Sequence, residues 1–222
     1  MALVKQDNQI SNNVYAWGRG WFGQLGTGRF ENQYVPVKIE FSGSKSLSFT
    51  MITCGEKHTL LLDGDGNIWF AGQLLAVGLD AADSEKRSEF AMLSSLSKQV
   101  PTEPMLYIAS GQNHNLTLSG TNKIYAFGKN DYCKCGTRIE EEAVFFKEVT
   151  MSDVNISLVS CGKRHSVACD LKGLAYSWGN LTLGRLGIHP MNFEQREKEA
   201  LCIDAPKEIT TFKTIFAGID LL

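Results

Sequence analysis

Short runs in which apolar and aromatic residues alternate with polar ones recur along the chain, and each run ends in glycine. Four of them recur at intervals of roughly fifty residues: "NVYAWG" (13–18), "NIWFAG" (67–72), "KIYAFG" (123–128) and "LAYSWG" (174–179). Three of the runs follow another strand-like run across a few turn residues, as in Asp63-Gly-Asp-Gly66. Period-two alternation interrupted by turn residues predicts β-hairpins. The sequence therefore predicts one hairpin-based unit that is repeated along the chain.

A second motif, Gly-x-x-His, precedes the last three of these runs, in "TCGEKHTLLL" (53–62), "ASGQNHNLTL" (109–118) and "SCGKRHSVAC" (160–169). Histidine and closing glycine are separated by the same interval in all three copies, which defines a set of structural repeat residues: Gly18, Gly55, His58, Gly72, Gly111, His114, Gly128, Gly162, His165 and Gly179. We expect each histidine to begin an inward strand and to bond a neighbouring backbone group, because buried polar side chains need partners.

A glycine in a turn-rich segment follows each closing glycine, at Gly26, Gly78, Gly136 and Gly187. Further short strands precede the Gly-x-x-His motifs, and a unit of about fifty residues with about four strands is typical of a β-propeller blade. The sequence predicts a single all-β domain over 1–222, a propeller of about four blades. Its hairpin repeats are centred on 13–28, 53–78, 109–137 and 160–188, with a broken unit at 215–222. Two charged segments, 83–96 and 192–201, are compatible with helices and are predicted to be surface insertions.

The series Ala/Cys-Gly-x-x-His-Thr/Ser, then Gly-x-Ile/Val-Tyr/Trp-x-Trp/Phe-Gly, then Gly-Gln-Leu-Gly resembles the regulator of chromosome condensation repeat family. The resemblance extends from "NVYAWG" to "TIFAGID" near the end of the chain. It implies a seven-bladed type of ring, of which four blades would form an incomplete arc. We therefore expect a truncated piece or short isoform of a longer propeller, able to associate with itself through open blade edges.

The same resemblance implies the function. It points to a protein-protein interaction module whose partner is another protein, and which regulates a small GTPase. An active guanine-nucleotide exchange factor is the alternative within the family. A nucleosome-binding role is less favoured, because the first thirteen residues contain one lysine and no basic cluster.

Composition narrows the classes of partner and compartment. With 22 Lys and Arg against 24 Asp and Glu, the formal charge is −2, so the chain lacks the broad basic field that drives nucleic-acid binding. No apolar run is long enough for a membrane span or a signal sequence, which predicts an intracellular protein, cytoplasmic or nuclear. Six cysteines in a chain of 222 residues do not resemble a disulfide scaffold.

The sequence offers little support for a metal site or a catalytic site. Cys54 and Cys161 open the first and third Gly-x-x-His motifs, but the second copy has Ser110 at that position. Ligands in separate blades would be spread around a ring, so we expect no metal. No nucleophile elbow or phosphate-binding loop is present, and we expect neither a cofactor nor enzymatic activity.

The stretch "YAWGRGWFGQLGTG" contains Gly18, Gly20 and Gly23 in the spacing of a dinucleotide-binding fingerprint, with Glu40 near the place of a ribose-binding acid. A cofactor-using enzyme is therefore the rival from another functional class. The segment after Gly23 has further glycines and no helical apolar stripe, which disfavours the helix that this fingerprint requires. The adjacent Trp21 and Phe22 are candidates for partner binding, and the alternative is that they fold back onto the next blade.

Overall fold

A computed structural model describes residues 1–5, 12–41, 47–79, 85–137, 142–151, 153–187 and 202–211. Their strands form four antiparallel sheets, and within each sheet the strands lie side by side in chain order. We number these sheets blades I to IV; blade I has three strands and the others have four. The predicted all-β propeller arc of about four blades is confirmed.

The strands are as follows. Blade I contains β1 (Ala2–Lys5), β2 (Asn12–Gly18) and β3 (Gln33–Lys38). Blade II contains β4 (Phe49–Cys54), β5 (His58–Asp63), β6 (Ile68–Gln73) and β7 (Lys86–Met92). Blade III contains β8 (Met105–Ser110), β9 (His114–Ser119), β10 (Ile124–Lys129) and β11 (Ala143–Val149). Blade IV contains β12 (Ile156–Cys161), β13 (His165–Asp170), β14 (Leu174–Asn180) and β15 (Cys202–Thr211).

Helical structure in the described residues is limited to short pieces. One α-helical turn, α1 (Leu93–Leu96), follows blade II. Three 3-10 turns lie after the third strands of blades II, III and IV, at Leu74–Val77, Asp131–Cys133 and Thr182–Gly184.

The predicted hairpins form around turns that the sequence organises locally. In blade II, Oδ1 of Asp63 accepts hydrogen bonds from the backbone N–H groups of Asp65 and Asn67, at 3.0 and 2.8 Å. Asp170 receives the equivalent pair of bonds in blade IV, both at 2.8 Å. A carboxylate that accepts bonds from following N–H groups closes a tight turn and sets the register of the two strands.

The repeated glycine at the end of each alternating run has a specific backbone role. All four copies have positive φ and lie at an irregularity in the pairing with the fourth strand or its counterpart: Gly18 (101°), Gly72 (121°), Gly128 (115°) and Gly179 (109°). Residues with a Cβ rarely adopt this conformation. In Gly72, a Cβ would also lie 2.3 Å from the carbonyl oxygen of Lys57. A bulge therefore fixes glycine at this position in every copy.

The hydrophobic cores lie between neighbouring blades. One cluster combines Val14 and Ala16 of blade I with Leu61 of blade II. Two further clusters join blade II to III and blade III to IV, and fully buried residues such as Phe127 and Trp178 lie in them. Each blade therefore depends on its neighbours for burial, as expected for a repeat architecture.

The helix expected within 83–96 was wrong for most of its length. Lys86–Met92 forms β7, which pairs with β6 through Phe70 and Ala91. The fourth strand lies at the outer edge of a blade and carries charged residues on its exposed side. Its sequence therefore lacks the continuous apolar pattern that would predict a buried strand. The segments 192–201 and 215–222 lie outside the described residues. Blades I and IV share no strand pairing in the described residues, and self-association through open edges stays a prediction.

Candidate protein-interaction face

The repeated histidines connect neighbouring blades. His58 begins β5 of blade II, is fully buried, and its Nε2 lies 2.7 Å from Oδ1 of Asn115 in blade III. His114 of blade III makes the equivalent contact 2.9 Å from Oγ of Ser166 in blade IV. For His58 the expected backbone partner is wrong, since its Nε2 atom bonds a side chain of the next blade. His114 bonds the side chain of Ser166 and also the backbone of His165. The Nε2 atom of each ring thus reaches a side chain of the next blade.

The glycine of the Gly-x-x-His motif makes room for this contact. A Cβ on Gly55 would lie 2.0 Å from Cε1 of His58, and one on Gly111 would lie 2.3 Å from Cε1 of His114. Gly55 also donates its N–H to the carbonyl of His58 at 2.9 Å. The imidazole thus packs flat over a bare backbone, which explains why glycine and histidine recur together.

The residue after each histidine forms a second contact that the sequence analysis did not assign. Thr59, Asn115 and Ser166 each donate a side-chain hydrogen bond at 2.7 Å to a backbone carbonyl of the preceding blade. The accepting residues occupy equivalent places, two positions before the loop glycine: Gln24, Ala76 and Lys134. A polar residue after the histidine in every copy was the available signal, and it becomes interpretable only when the blades are placed side by side.

These contacts fix the protonation of the histidines. Asn115 donates its Nδ2 to Ala76, so its Oδ1 is the acceptor and His58 donates from Nε2. Burial lowers the pKa of His58 to about 4, and the Asn115 bond opposes this only partly. Burial also lowers the pKa of His114 well below its ordinary value, helped by the positive charge of Lys134. Both imidazoles are neutral at physiological pH.

The Gly-x-x-His turns and the loops between third and fourth strands lie at one end of the propeller, which we call the loop-side face. Each blade presents an apolar side chain four positions before its loop glycine: Phe22, Leu74, Tyr132 and Leu183. Leu183 is 80% exposed and Tyr132 is 37% exposed. The guanidinium of Arg164 lies 5.1 Å from the Tyr132 ring centre, as Lys57 lies 4.6 Å from that of Phe22. In blades I and III, the apolar group of this face therefore lies beside a cation.

The structure places Trp21 and Phe22 differently from one another. Phe22 is half-buried and is flanked by basic side chains of its own loop and of blade II. Trp21 is 61% exposed, and its carbonyl accepts a hydrogen bond from Lys86 Nζ at 2.9 Å. The next blade thus anchors the loop while the indole faces solvent, and the partner-binding role of both residues stays a prediction.

The glycines of the dinucleotide fingerprint are used for packing within the chain. A Cβ on Gly20 would lie 1.9 Å from the carbonyl oxygen of Glu31, and one on Gly23 would lie 2.1 Å from that of Arg87. The described segment 19–32 contains no helix, and β3 follows directly. A pyrophosphate would need both the open backbone and the helix N-terminus, so the geometry contradicts the dinucleotide interpretation.

The cysteine and histidine side chains that the structure describes are distributed over several blades. Within the described ranges, no group of three or more His, Cys, Asp or Glu side chains could hold a metal ion. Cys133 and Cys135 are buried in the loop of blade III, whereas Cys54 is exposed at the end of β4. The described part of the chain also has no helix long and apolar enough to cross a membrane.

Comparison with known families assigns the repeat. The model of the regulator of chromosome condensation (RCC1) repeat matches residues 11–62 and 121–169, which include His58 and His165. Residues 11–62 and 121–169 therefore carry RCC1-type repeats. Each matched segment begins near an alternating β-strand and ends after a Gly-x-x-His motif. The family model therefore includes the histidine motif that connects neighbouring blades.

Two relatives of this chain are longer than the chain itself. The ultraviolet-B receptor UVR8 of Arabidopsis thaliana is 28% identical over 84% of the chain, which spans 40% of the receptor. The guanine nucleotide exchange factor SRM1 of Saccharomyces cerevisiae is 25% identical over 94% of the chain, which spans 46% of that protein. The chain thus spans less than half the length of either relative.

Solved structures support the same fold. The crystal structure of Prp20p from Saccharomyces cerevisiae, described together with its binding to Gsp1p and histones, superposes with a TM-score of 0.74. The two chains are 23% identical, and the match covers 93% of this chain and 50% of Prp20p. At this level of identity the likeness establishes the propeller fold.

Proposed function

We propose that this chain is a protein-protein interaction module that regulates a small GTPase, and that it acts by binding with its loop-side face. The observation that carries the proposal is the set of exposed apolar and aromatic side chains on that face, of which Tyr132 lies beside the guanidinium of Arg164. Trp21, Tyr132 and Leu183 are exposed there without contributing to any hydrophobic core cluster of the described residues. Exposed aromatic side chains beside basic groups are typical of binding hot spots.

The names of similar proteins suggest the class of protein to which the partner belongs. SRM1 is named as a guanine nucleotide exchange factor, and Prp20p was studied for its binding to Gsp1p. These properties belong to those proteins, and the chain spans about half of Prp20p. We therefore propose regulation of a GTPase in the cytoplasm or nucleus, and keep exchange activity as the finer alternative that the same assay decides.

The test is capture of small GTPases by the purified chain, followed by release of a fluorescent nucleotide from any GTPase that is captured. Trp21→Ala and Tyr132→Ala should each weaken capture by about thirtyfold, the scale of a hot-spot loss. Leu171→Ala is the matched control, because Leu171 is 74% exposed at the opposite end of blade IV.

The possible results separate the alternatives. Faster nucleotide release would show an exchange factor, and capture without release would show a regulator of another kind. If capture is unchanged by Trp21→Ala and Tyr132→Ala but is lost with Leu171→Ala, the interface lies at the opposite end of the propeller. A panel in which no GTPase is captured would refute the proposal.

A further inference from the structure

Three basic side chains converge on one aromatic ring at the junction of blades I and II. The Phe22 ring centre lies 4.6 Å from Lys57 Nζ, 5.6 Å from the Arg19 guanidinium carbon and 5.8 Å from Lys86 Nζ. Lys86 Nζ also lies 4.5 Å from the ring centre of Phe30. The residues come from separate elements: the loop after β2, the Gly-x-x-His turn of blade II, and the start of β7. We call this group the basic-aromatic cluster.

The positive charge of the cluster is not neutralised within the described chain. The ion pairs of the described residues involve other basic side chains, and none of them includes Arg19, Lys57 or Lys86. Aromatic faces attract cations but carry no net charge, so they do not compensate three like charges held close together. A site with this composition gains stability when an anion binds it.

An open groove adjoins the cluster on its outer side. It has a volume of about 500 Å³ and is lined by Arg19, Trp21 and Tyr34, among others. Trp21 is 61% and Tyr34 is 90% exposed, and Arg19 borders both the groove and the cluster. The surface therefore presents positive charge and, directly beside it, a place for an apolar side chain.

We infer that the basic-aromatic cluster and its groove bind an acidic segment of the partner protein, with carboxylates over the cations and an apolar side chain beside Trp21. This inference rests on the proposed function, because it assigns the chemistry of the partner to the same face. Charge complementarity selects the occupant. Nucleic acid fits less well, since the three basic side chains surround a single ring and the formal charge of the chain is −2. A phosphate backbone needs a basic track longer than this cluster.

The test uses a fluorescein-labelled peptide in which Asp and Glu alternate with Leu, titrated with the whole chain and followed by fluorescence anisotropy. We expect saturable binding that weakens as salt is raised, because exposed charges are screened. Arg19→Glu and Lys57→Glu should each lower the affinity about tenfold, and Lys57→Arg should preserve it. Lys172→Glu is the control, since it makes the same charge change on an exposed lysine at the opposite end of the propeller.

Each outcome decides the inference. Lys86 is left intact because it holds the Trp21 carbonyl, and thermal melting verifies that the variants fold. Equal loss of affinity with Lys172→Glu, no binding of the acidic peptide, or tighter binding of oligothymidylate than of the peptide would overturn it. If a GTPase is captured equally well by wild type and by Arg19→Glu, the inference fails while the proposed function stands.

Discussion

Trp17 and Trp178 occupy the same place in the repeat, directly before the closing glycine, but their environments differ. Trp178 of blade IV is fully buried in the core shared with blade III. Trp17 of blade I is 42% exposed. Its neighbours Val14 and Ala16 face blade II, so Trp17 points to the opposite side of blade I. The same residue at the same place in the repeat is buried where a described blade packs against it and partly exposed where none does, so its burial depends on the junction between blades.

The largest expected difference is between alanine substitutions at these two tryptophans. Trp178→Ala should lower the free energy of unfolding by about 3–5 kcal/mol, since it empties a closed core, whereas Trp17→Ala should cost under about 1 kcal/mol. Urea denaturation monitored by circular dichroism measures both values. If the two costs are equal and depend on protein concentration, a second molecule covers Trp17, as the open-edge prediction requires.

The buried histidines should make the junctions of blades II to IV sensitive to acid. The unfolded His58 titrates near its ordinary value of 6.5, and the folded His58 near 4. Between these values unfolding takes up a proton, so the free energy of unfolding falls as the pH falls from about 6.5 to 4, by about 3 kcal/mol. Below about 4 both states are protonated and this loss levels off.

Chemical denaturation at several pH values measures this dependence. Carboxylates titrate in the lower part of the same range, so the informative quantity is the difference between wild type and His58→Gln. We expect the variant to lose stability less steeply between pH 6.5 and 4. Parallel curves for the two proteins would mean that folding does not lower the pKa of His58 and that the burial argument is wrong.

The smallest expected difference in stability is between two polar contacts that join neighbouring blades. At the contact between blades III and IV, His114 also bonds the polar residue. At the contact between blades I and II, no histidine of the described residues does so. Ser166 bonds both Lys134 and His114, so Ser166→Ala leaves two buried groups unpaired and should cost about 2 kcal/mol. Thr59 bonds the carbonyl of Gln24, and Thr59→Val should cost about 1 kcal/mol. Thermal unfolding of both variants checks the order, and a larger loss for Thr59→Val would place the dominant contact in blade I.

Some residues of the candidate site could be predicted from the sequence and others could not. The pairing of glycine with histidine was visible because both recur at fixed spacing. The role of Thr59, Asn115 and Ser166 was not recognised, since a hydroxyl or amide after a histidine has no meaning until the carbonyl of another blade lies beside it. The basic-aromatic cluster was equally invisible, because Arg19, Lys57 and Lys86 are distant in the chain.

The sequence by itself determined the repeat, its hairpins and the positions of its glycines, because turn chemistry and positive φ are local requirements that act within one blade. It did not determine β7, whose charged residues follow from its place at the outer edge of blade II. The tertiary structure alone decided which side chains meet across the blades, whether a repeated tryptophan is buried, and where unpaired charge collects. Those outcomes depend on the distance between neighbouring sheets, and no spacing within one repeat encodes that distance.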